Sequence, residues 1–357
     1  MKAMIAMSGG VDSSVAAFLM LKKGYECEGA TMRLFHPTLT GAEESSCNGK
    51  SCCSDRDVDD ARRVASMLGI PHSSKDYSVD FSAQIIDKFV RTYAAGGTPN
   101  PCIDCNRYMK FEKLLDYALS RGCDTIVTGH YARVEKSGER YILKKGIDPA
   151  KDQSYVLYNL TQEQLSHCAF PLGEYTKEQI RTIAEEQGFV NADKAESQDI
   201  CFVPDGDYAR FITEYSGESF PEGDFTDREG KVLGRHKGII HYTVGQRKGL
   251  NLPAEEPWYV TKLDVPNNRV ILSHGDGLFS DTLTAHDINL IALPRIEGEL
   301  RCAAKIRYRQ QEQPCVVTQP DEDTLQVVFD APQRAVTPGQ ALVLYNGDVV
   351  IGGGTIN

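Results

Sequence analysis

Met4-Ile5-Ala6-Met7-Ser8-Gly9-Gly10-Val11-Asp12-Ser13-Ser14 reads as a strand, a glycine turn and the start of a helix. The apolar run from Met4 to Met7 suits a buried parallel strand. Gly9 and Gly10 let the backbone turn sharply with its amides pointing inward, which a Cβ would obstruct. Val11, Val15, Phe18 and Leu19 then recur near helical spacing, Lys22 and Lys23 close the helix against its dipole, and Gly24 reads as the C-cap. The amides of the helix start and the hydroxyls of Ser8, Ser13 and Ser14 supply donors for an anion, so a phosphate belongs there. No Lys-Ser/Thr pair follows the glycines, which separates this turn from a Walker A loop. A carboxylate at Asp12 would repel a phosphate unless Mg²⁺ bridges the two. Two glycines and three short polar residues would also make an ordinary capped turn.

Outward from this turn, residues 28–34 read as a second strand with Met32 near its carboxyl end, where open α/β sheets place ligands. A polar loop over 36–55 carries Cys47, Cys52 and Cys53. An amphipathic helix is expected over 57–68, closed by Gly69 before a short strand at 70–73. Phe81, Ile85, Phe89 and Tyr93 mark another helix. The stretch 96–106, GGTPNPCIDCN, reads as a loop fixed by two prolines, followed by a helix over 108–121 and a strand over 124–129 that ends at His130. A hairpin turning at Ser137-Gly138 leads to Lys151-Asp152-Gln153-Ser154, a further helix spans 176–188, and SQDICFV at 197–203 closes this part. The alternation predicts a doubly wound parallel sheet. From about residue 206 glycine turns and strands dominate, and from about 281 alternating segments predict a small antiparallel β-barrel. The expected domains are 1–205 (catalytic, α/β), 206–280 (central, mostly β) and 281–357 (barrel).

A chain of 357 residues exceeds what one core holds. Its 41% hydrophobic and 25% charged residues are ordinary for a soluble globular protein. No apolar run reaches membrane-spanning length, and the N-terminal segment reads as a core strand rather than a signal peptide, so a cytoplasmic protein with no membrane partner is expected. The net charge of −11 argues against indiscriminate nucleic-acid binding while leaving room for a local basic face. Eleven cysteines without a secretory signal point to reduced thiols rather than a disulfide framework. Cys27, Cys123, Cys168, Cys302 and Cys315 lie among apolar neighbours and read as buried, inert thiols. Cys102 and Cys105 form C-x-x-C, and Cys201 lies far away in sequence. Half a zinc site, a redox dithiol and a pair of sulfur-transfer thiols all remain open for them.

SGGVDSS at such a strand-to-helix junction resembles the PP-loop of the ATP pyrophosphatases, which split ATP into AMP and pyrophosphate. SGGVDSS, TPNPCIDCN, TGHYAR, KDQSYVL, FPLGEYTK, SQDICFV, YTVGQRKGL and PGQALVLY occur in the order and spacing of the tRNA-specific 2-thiouridylase family. That resemblance covers essentially the whole chain. It implies conversion of the wobble uridine of certain tRNAs to 2-thiouridine, with ATP, Mg²⁺ and a persulfide delivered by a cysteine-desulfurase relay. Uridine C2 carries an amide-like oxygen that leaves poorly; adenylation makes it a leaving group, and sulfur then attacks C2. By resemblance Cys201 carries the persulfide and Cys105 is the partner nucleophile, a Cys105–Cys201 disulfide closing each turnover. Both thiols must then be accessible and partly ionised.

Other positions carry over motif by motif. Ala6, Met7, Ser8, Gly9, Gly10, Val11, Asp12 and Ser13, with Met32 and Gly129, match nucleotide-binding positions. Asn100, Pro101 and Cys102 match the stretch facing the target base. His130, Lys151, Asp152, Gln153, Arg307, Tyr308 and Gln340 match tRNA-contact positions. Arg301, Lys305, Arg307, Tyr308 and Arg309 would give the barrel a basic face. Two residues depart from the family pattern: some members have Asp at the position of Cys102, and Gly97 stands where an Arg is often found. The extra thiol makes Cys102, Cys105 and Cys201 a candidate three-cysteine cage for a [4Fe-4S] cluster with one open iron. A PP-loop amidating ligase and a non-catalytic RNA-binding or iron–sulfur scaffold are the competing functions; the first needs neither cysteine, and the second leaves SGGVDSS without a purpose.

Overall fold

The computed structural model describes residues 1–35, 55–192, 194, 200–253 and 255–357. The loop with Cys47, Cys52 and Cys53, and residues 197–199 of SQDICFV, lie outside the described residues. The chain forms two compact units, one made of Met1–Ile86, Pro101–Gly206 and Gly347–Val350, the other of Asp87–Asn100, Asp207–Asn346 and Ile351–Asn357.

The first unit is built on β1 (Lys2–Ala6), β2 (Glu26–Arg33), β3 (His72–Asp76), β4 (Thr125–Val127), β5 (Ala132–Ser137), β6 (Arg140–Lys145) and β7 (Cys168–Ala169). Five of them make the parallel sheet β3-β2-β1-β4-β7. The chain enters at the middle strand, runs outward through β2 and β3, then crosses to the other side of β1 through β4. This reversal puts the topological switch point at the carboxyl ends of β1 and β4, where the first helix begins. Ala3, Met4 and Ile5 are fully buried. Helix α1 (Val11–Lys22) packs Val15, Ala16, Leu19 and Met20 on that layer. Helix α2 (Asp55–Met67) adds Ala61, Val64 and Ala65, and the helix Lys177–Glu186 adds Ile180 and Ala184. Each large buried side chain of this layer contributes about 1.5–3 kcal/mol.

Helix boundaries correct the sequence reading between the two prolines and residue 121. Helical turns begin at Pro101 and continue as Pro101–Asp104, a π-helical stretch Cys105–Lys113, and Leu114–Ser120. Cys102 and Cys105 therefore sit on helix, not loop. Pro101 starts the segment because its fixed φ suits the first helical position, where the missing N–H costs nothing. The hairpin β5–β6 stands apart from the parallel sheet, and Lys144 on it pairs with Val349.

In the second unit, the helices Asp87–Ala94 and Tyr208–Ser216 meet through aromatic rings. Phe89 lies 6.3 Å from Tyr208 and 6.4 Å from Phe211, and the Tyr215 hydroxyl donates to Asp87 at 2.9 Å. Strands β8 (Gly223–Thr226), β9 (Val232–His236), β10 (Tyr259–Asp264) and β11 (Arg269–Ser273) form a sheet in the order β10-β11-β8-β9. Then β12 (Phe279–Leu290), β13 (Leu300–Lys305), β14 (Gln313–Thr318), β15 (Leu325–Arg334), β16 (Ala341–Asn346) and β17 (Val349–Ile356) follow in the order β12-β15-β14-β13-β16-β17, and β12 pairs with β17 to close the barrel. On β15 the alternation is plain: Leu325, Val327 and Phe329 are buried while Gln326, Val328 and Asp330 face out. Among the described residues no helix is long and apolar enough to cross a membrane.

Candidate active site

The turn after β1 is held from several sides. The Met7 amide donates to the Ala30 carbonyl at 2.8 Å, and the Met7 carbonyl accepts the Thr31 hydroxyl at 2.7 Å. Gly9 takes φ +74°, and a Cβ there would strike the Asp57 carbonyl at the start of α2. Gly129, at the carboxyl end of β4, lets the first turn of α1 close in: its Cβ would sit 2.8 Å from the Asp12 carbonyl carbon and 2.9 Å from the Ser13 nitrogen. Gly10 is the extended N-cap of α1 and makes no side-chain cap hydrogen bond to the opening amides of that helix, groups of the kind that can donate to an anion. The hydroxyls of Ser13 and Ser14 instead donate to the Gly10 carbonyl at 3.0 and 3.1 Å. Ser8 contacts Ser13 through its amide at 3.3 Å and its hydroxyl at 3.4 Å. Met32 is buried on β2.

Several residues complete this cradle that sequence reasoning gave no role. The Lys177 ammonium donates to both Asp12 carboxylate oxygens at 2.8 and 2.9 Å, and the Tyr131 hydroxyl donates to Oδ1 at 2.8 Å. Asn191 donates to the Gly9 carbonyl and to Ser14 Oγ, each at 3.0 Å. Lys194 reaches the Gly9 carbonyl at 3.2 Å, Asp57 at 2.6 Å and Asp60 at 2.8 Å. Burial pulls the Lys194 ammonium toward neutrality, but hydrogen bonds to Asp57 and Asp60 outweigh it and hold its pKa above the ordinary value. One signal was present in the sequence: a lysine that opens a helix works against the dipole and needs an anionic partner.

The donor set at the turn fits Mg²⁺ carried in with a nucleotide, because that ion is commonly held by one carboxylate plus phosphate oxygens and water. Asp12 would be that carboxylate once Lys177 gives up one of its oxygens. Among the described residues no group of three or more His, Cys, Asp and Glu side chains is disposed to hold a metal ion, Cys102, Cys105 and Cys201 included.

Both thiols assigned to sulfur chemistry belong to the unit that holds the cradle. Cys105, half-buried, is the first residue of the π-helical stretch, a geometry frequent at functional sites. Cys102 is exposed, and Cys201 is half-buried. Next to Cys201, Phe202 is buried edge-on against Phe81, ring centroids 5.7 Å apart. The wide turns around Cys105 are tied by side chains. Asn106, buried, donates to the Val156 carbonyl at 2.9 Å and accepts from Lys110 at 2.9 Å, while Gln164 donates to the Arg107 carbonyl at 3.1 Å. Pro101 is buried in the opening turn, and Asn100 belongs to the other unit.

The expected tRNA-contact positions are largely engaged inside the protein. The His130 ring is buried between Phe111 and Phe170 and bonded through Nδ1 to Thr128 Oγ1 at 2.7 Å. Burial, helped by the nearby Lys110 charge, pushes its pKa well below 6.5. Asp152 accepts from the Gly146 and Ser154 amides at 3.2 and 3.1 Å, and Gln153 Oε1 accepts the Tyr131 amide at 3.0 Å. Lys151 is half-buried beside them. In the second unit, Arg307 donates to the Val244 and Ala335 carbonyls at 3.1 Å each and to the Thr337 hydroxyl at 2.6 Å, joining the 244 segment to the barrel. Gln340 donates to the Thr98 carbonyl at 2.7 Å. Arg301 is paired with Asp330, and Lys305 lies 5.7 Å over the Tyr345 ring. Tyr308 and Arg309 are exposed.

Comparison with known proteins adds to this geometry. The family model described as the tRNA methyl transferase HUP domain matches residues 1–205, its PRC-barrel domain matches 209–274, and the aminomethyltransferase beta-barrel domain matches 280–356. The tRNA-specific 2-thiouridylase MnmA of Acetivibrio thermocellus is 49% identical over 99% of this chain and 99% of its own. The protein of the same name from Clostridioides difficile is 46% identical over 99% of this chain and 98% of its own. A solved structure, the U34-tRNA thiolase NcsA from Methanococcus maripaludis with its [4Fe-4S] cluster, has a TM-score of 0.34 at 16% identity, covers 60% of this chain and 70% of its own, and is too distant to carry an argument. With near-half identity sustained from end to end across all three matched regions, the chain belongs to the tRNA-specific 2-thiouridylase family.

Proposed function

We propose that this chain is an ATP-dependent tRNA sulfurtransferase that converts the wobble uridine to 2-thiouridine, working in the cytoplasm with a persulfide donor from a cysteine-desulfurase relay. The observation that carries this reading is the placement of the phosphate-type turn and of both candidate thiols, Cys105 and Cys201, in one compact unit. Its domains are taken as 1–205 for catalysis, 206–280 as a central module and 281–357 for tRNA.

In this reading the uridine C2 oxygen attacks the α-phosphorus of ATP, and pyrophosphate leaves into the amides of residues 8–13. Asp12 would hold Mg²⁺, which screens phosphate charge when bound, and Lys177 shares the cradle's charge balance. The terminal sulfur of a Cys201 persulfide attacks C2, forming a C–S bond as AMP departs. The Cys105 thiolate then attacks Cys201 Sγ and breaks the S–S bond, so that the sulfur stays on the base as the thiocarbonyl. A Cys105–Cys201 disulfide remains, and an external dithiol or two monothiols must supply two electrons to reopen it, leaving as the oxidised disulfide. Asn100, Pro101 and Cys102 are taken to face the target base, while Lys151, Asp152 and Gln153 in the first unit, and Tyr308 and Gln340 in the second, are taken as tRNA contacts. His130 and Arg307 act by positioning, each within its own unit, given their buried and carbonyl-bound side chains.

The test combines purified protein, ATP, Mg²⁺, a persulfide donor and unmodified tRNA, with nucleoside mass spectrometry. The expected products are 2-thiouridine, AMP and pyrophosphate. Cys105→Ser and Cys201→Ser each abolish thiolation; normal thiolation by both variants overturns the roles given to these thiols, and AMP release without any 2-thiouridine favours an amidating ligase.

A further inference from the structure

We propose that Cys302 and Cys315 are a reversible dithiol–disulfide couple in the barrel, closed by exchange with a small-molecule disulfide. The two residues face each other in register on β13 and β14, and their sulfurs lie 3.8 Å apart. Cross-strand partners place their Cβ atoms close to the separation a disulfide requires, so bond formation needs a small approach of the sulfurs rather than a backbone rearrangement. The sequence reading took both for inert thiols, because nothing in the chain announces which residues two strands will set opposite each other.

The pair is asymmetric. Cys315 is fully buried in the barrel core, while Cys302 is half-buried and therefore the one an oxidant reaches. The hydrogen bond with Cys315 and the neighbouring Arg301 charge hold the Cys302 thiol below its ordinary pKa despite its burial. The same hydrogen bond and burial push Cys315 well up. Cys302 is thus the attacking thiolate and Cys315 the resolving thiol. The Cys302 thiolate attacks one sulfur of a disulfide R–S–S–R and expels one thiolate, leaving a mixed disulfide. Cys315 then gives up its proton, attacks the Cys302 sulfur and expels the second thiolate. Two protein thiols and one disulfide become one intrachain disulfide and two small thiols, and excess thiol reverses the exchange.

Closure would tie the base of the segment 303–314, which carries Arg307, Tyr308 and Arg309. The inference stands on the barrel alone and does not depend on the tRNA reading. It is tested on the full chain, and on the Cys105→Ser, Cys201→Ser double variant, equilibrated across ratios of oxidised to reduced glutathione, acid-quenched, alkylated after denaturation and mapped by peptide mass spectrometry. The expected result is a linked peptide pair containing Cys302 and Cys315, two hydrogen masses lighter than the dithiol, that rises with the oxidised fraction and disappears with excess dithiothreitol. Backbone amide exchange over 303–314 is expected to slow severalfold in the oxidised protein, and Cys302→Ser to remove both effects. Persistence of both residues as alkylated thiols at the oxidising end, or arrest of Cys302 as a glutathione mixed disulfide, overturns the proposal.

Discussion

Lys177 is a buried cation at the first position of a helix, where both burial and the macrodipole work against its charge. Asp12 answers both penalties with its two carboxylate oxygens. Asp12→Asn is expected to lower unfolding free energy by about 1–3 kcal/mol, because a charged hydrogen-bond donor is left with a weaker partner. Lys177→Met leaves the carboxylate facing the phosphates without its counter-charge, so the KM for ATP rises while tRNA binding holds. Denaturant titration and AMP release under varied ATP measure the two effects, and an unchanged midpoint and KM in both variants would remove the pair from the cradle. The turn itself was legible in the sequence, because the full SGGVDSS falls between an apolar strand and a helix pattern. The partner was not, because Lys177 is 165 positions away and only the fold brings it in.

At the level of elements, the helix Lys177–Glu186 is placed by Thr176, whose side chain accepts from the Gln179 amide while the Gln179 side chain accepts from the Thr176 amide. Thr176→Ala is expected to cost about 1 kcal/mol of stability. It frays the turn that presents Lys177, so weaker ATP use accompanies the lowered unfolding midpoint, and Thr176→Ser restores both. This helix was readable from its pattern. The segment after Pro101 was not: two prolines read as loop, although one of them opens a helix. Nor does a repeat of 3.6 residues announce a π-helical stretch at Cys105, which rests on contacts such as Asn106 to Val156 that are remote in sequence. The barrel's alternation was visible strand by strand, whereas its register was not, and register is what sets Cys302 against Cys315.

For the molecule as a whole, His72, His130, His236 and His241 are all held below the ordinary imidazole value of 6.5, in each case chiefly by burial. In the pH window below about 6.5 the unfolded chain therefore binds protons that the folded chain refuses. Stability is fully present above that window and falls as pH drops through it toward the folded values, by at most about 1.4 kcal/mol for each unit of pKa shift at each group. Urea midpoints near neutral and mildly acidic pH are expected to show this decline, and His130→Gln to flatten part of it; a pH-independent midpoint would contradict it. The alternation of strands and helices gave away the α/β class, and the later change to short strands gave away the barrel. The return of the chain to a unit it had already left had no local signature. Gly347–Val350 rejoin the first unit, where Asp348 takes the Arg133 guanidinium at 2.9 Å and Val349 pairs with Lys144. A polypeptide emerging from the ribosome thus carries the whole cradle and both candidate thiols long before it carries this stitch. Folding can start during synthesis, but the β5–β6 hairpin waits for a partner made much later, Asp348 lying 215 positions beyond Arg133.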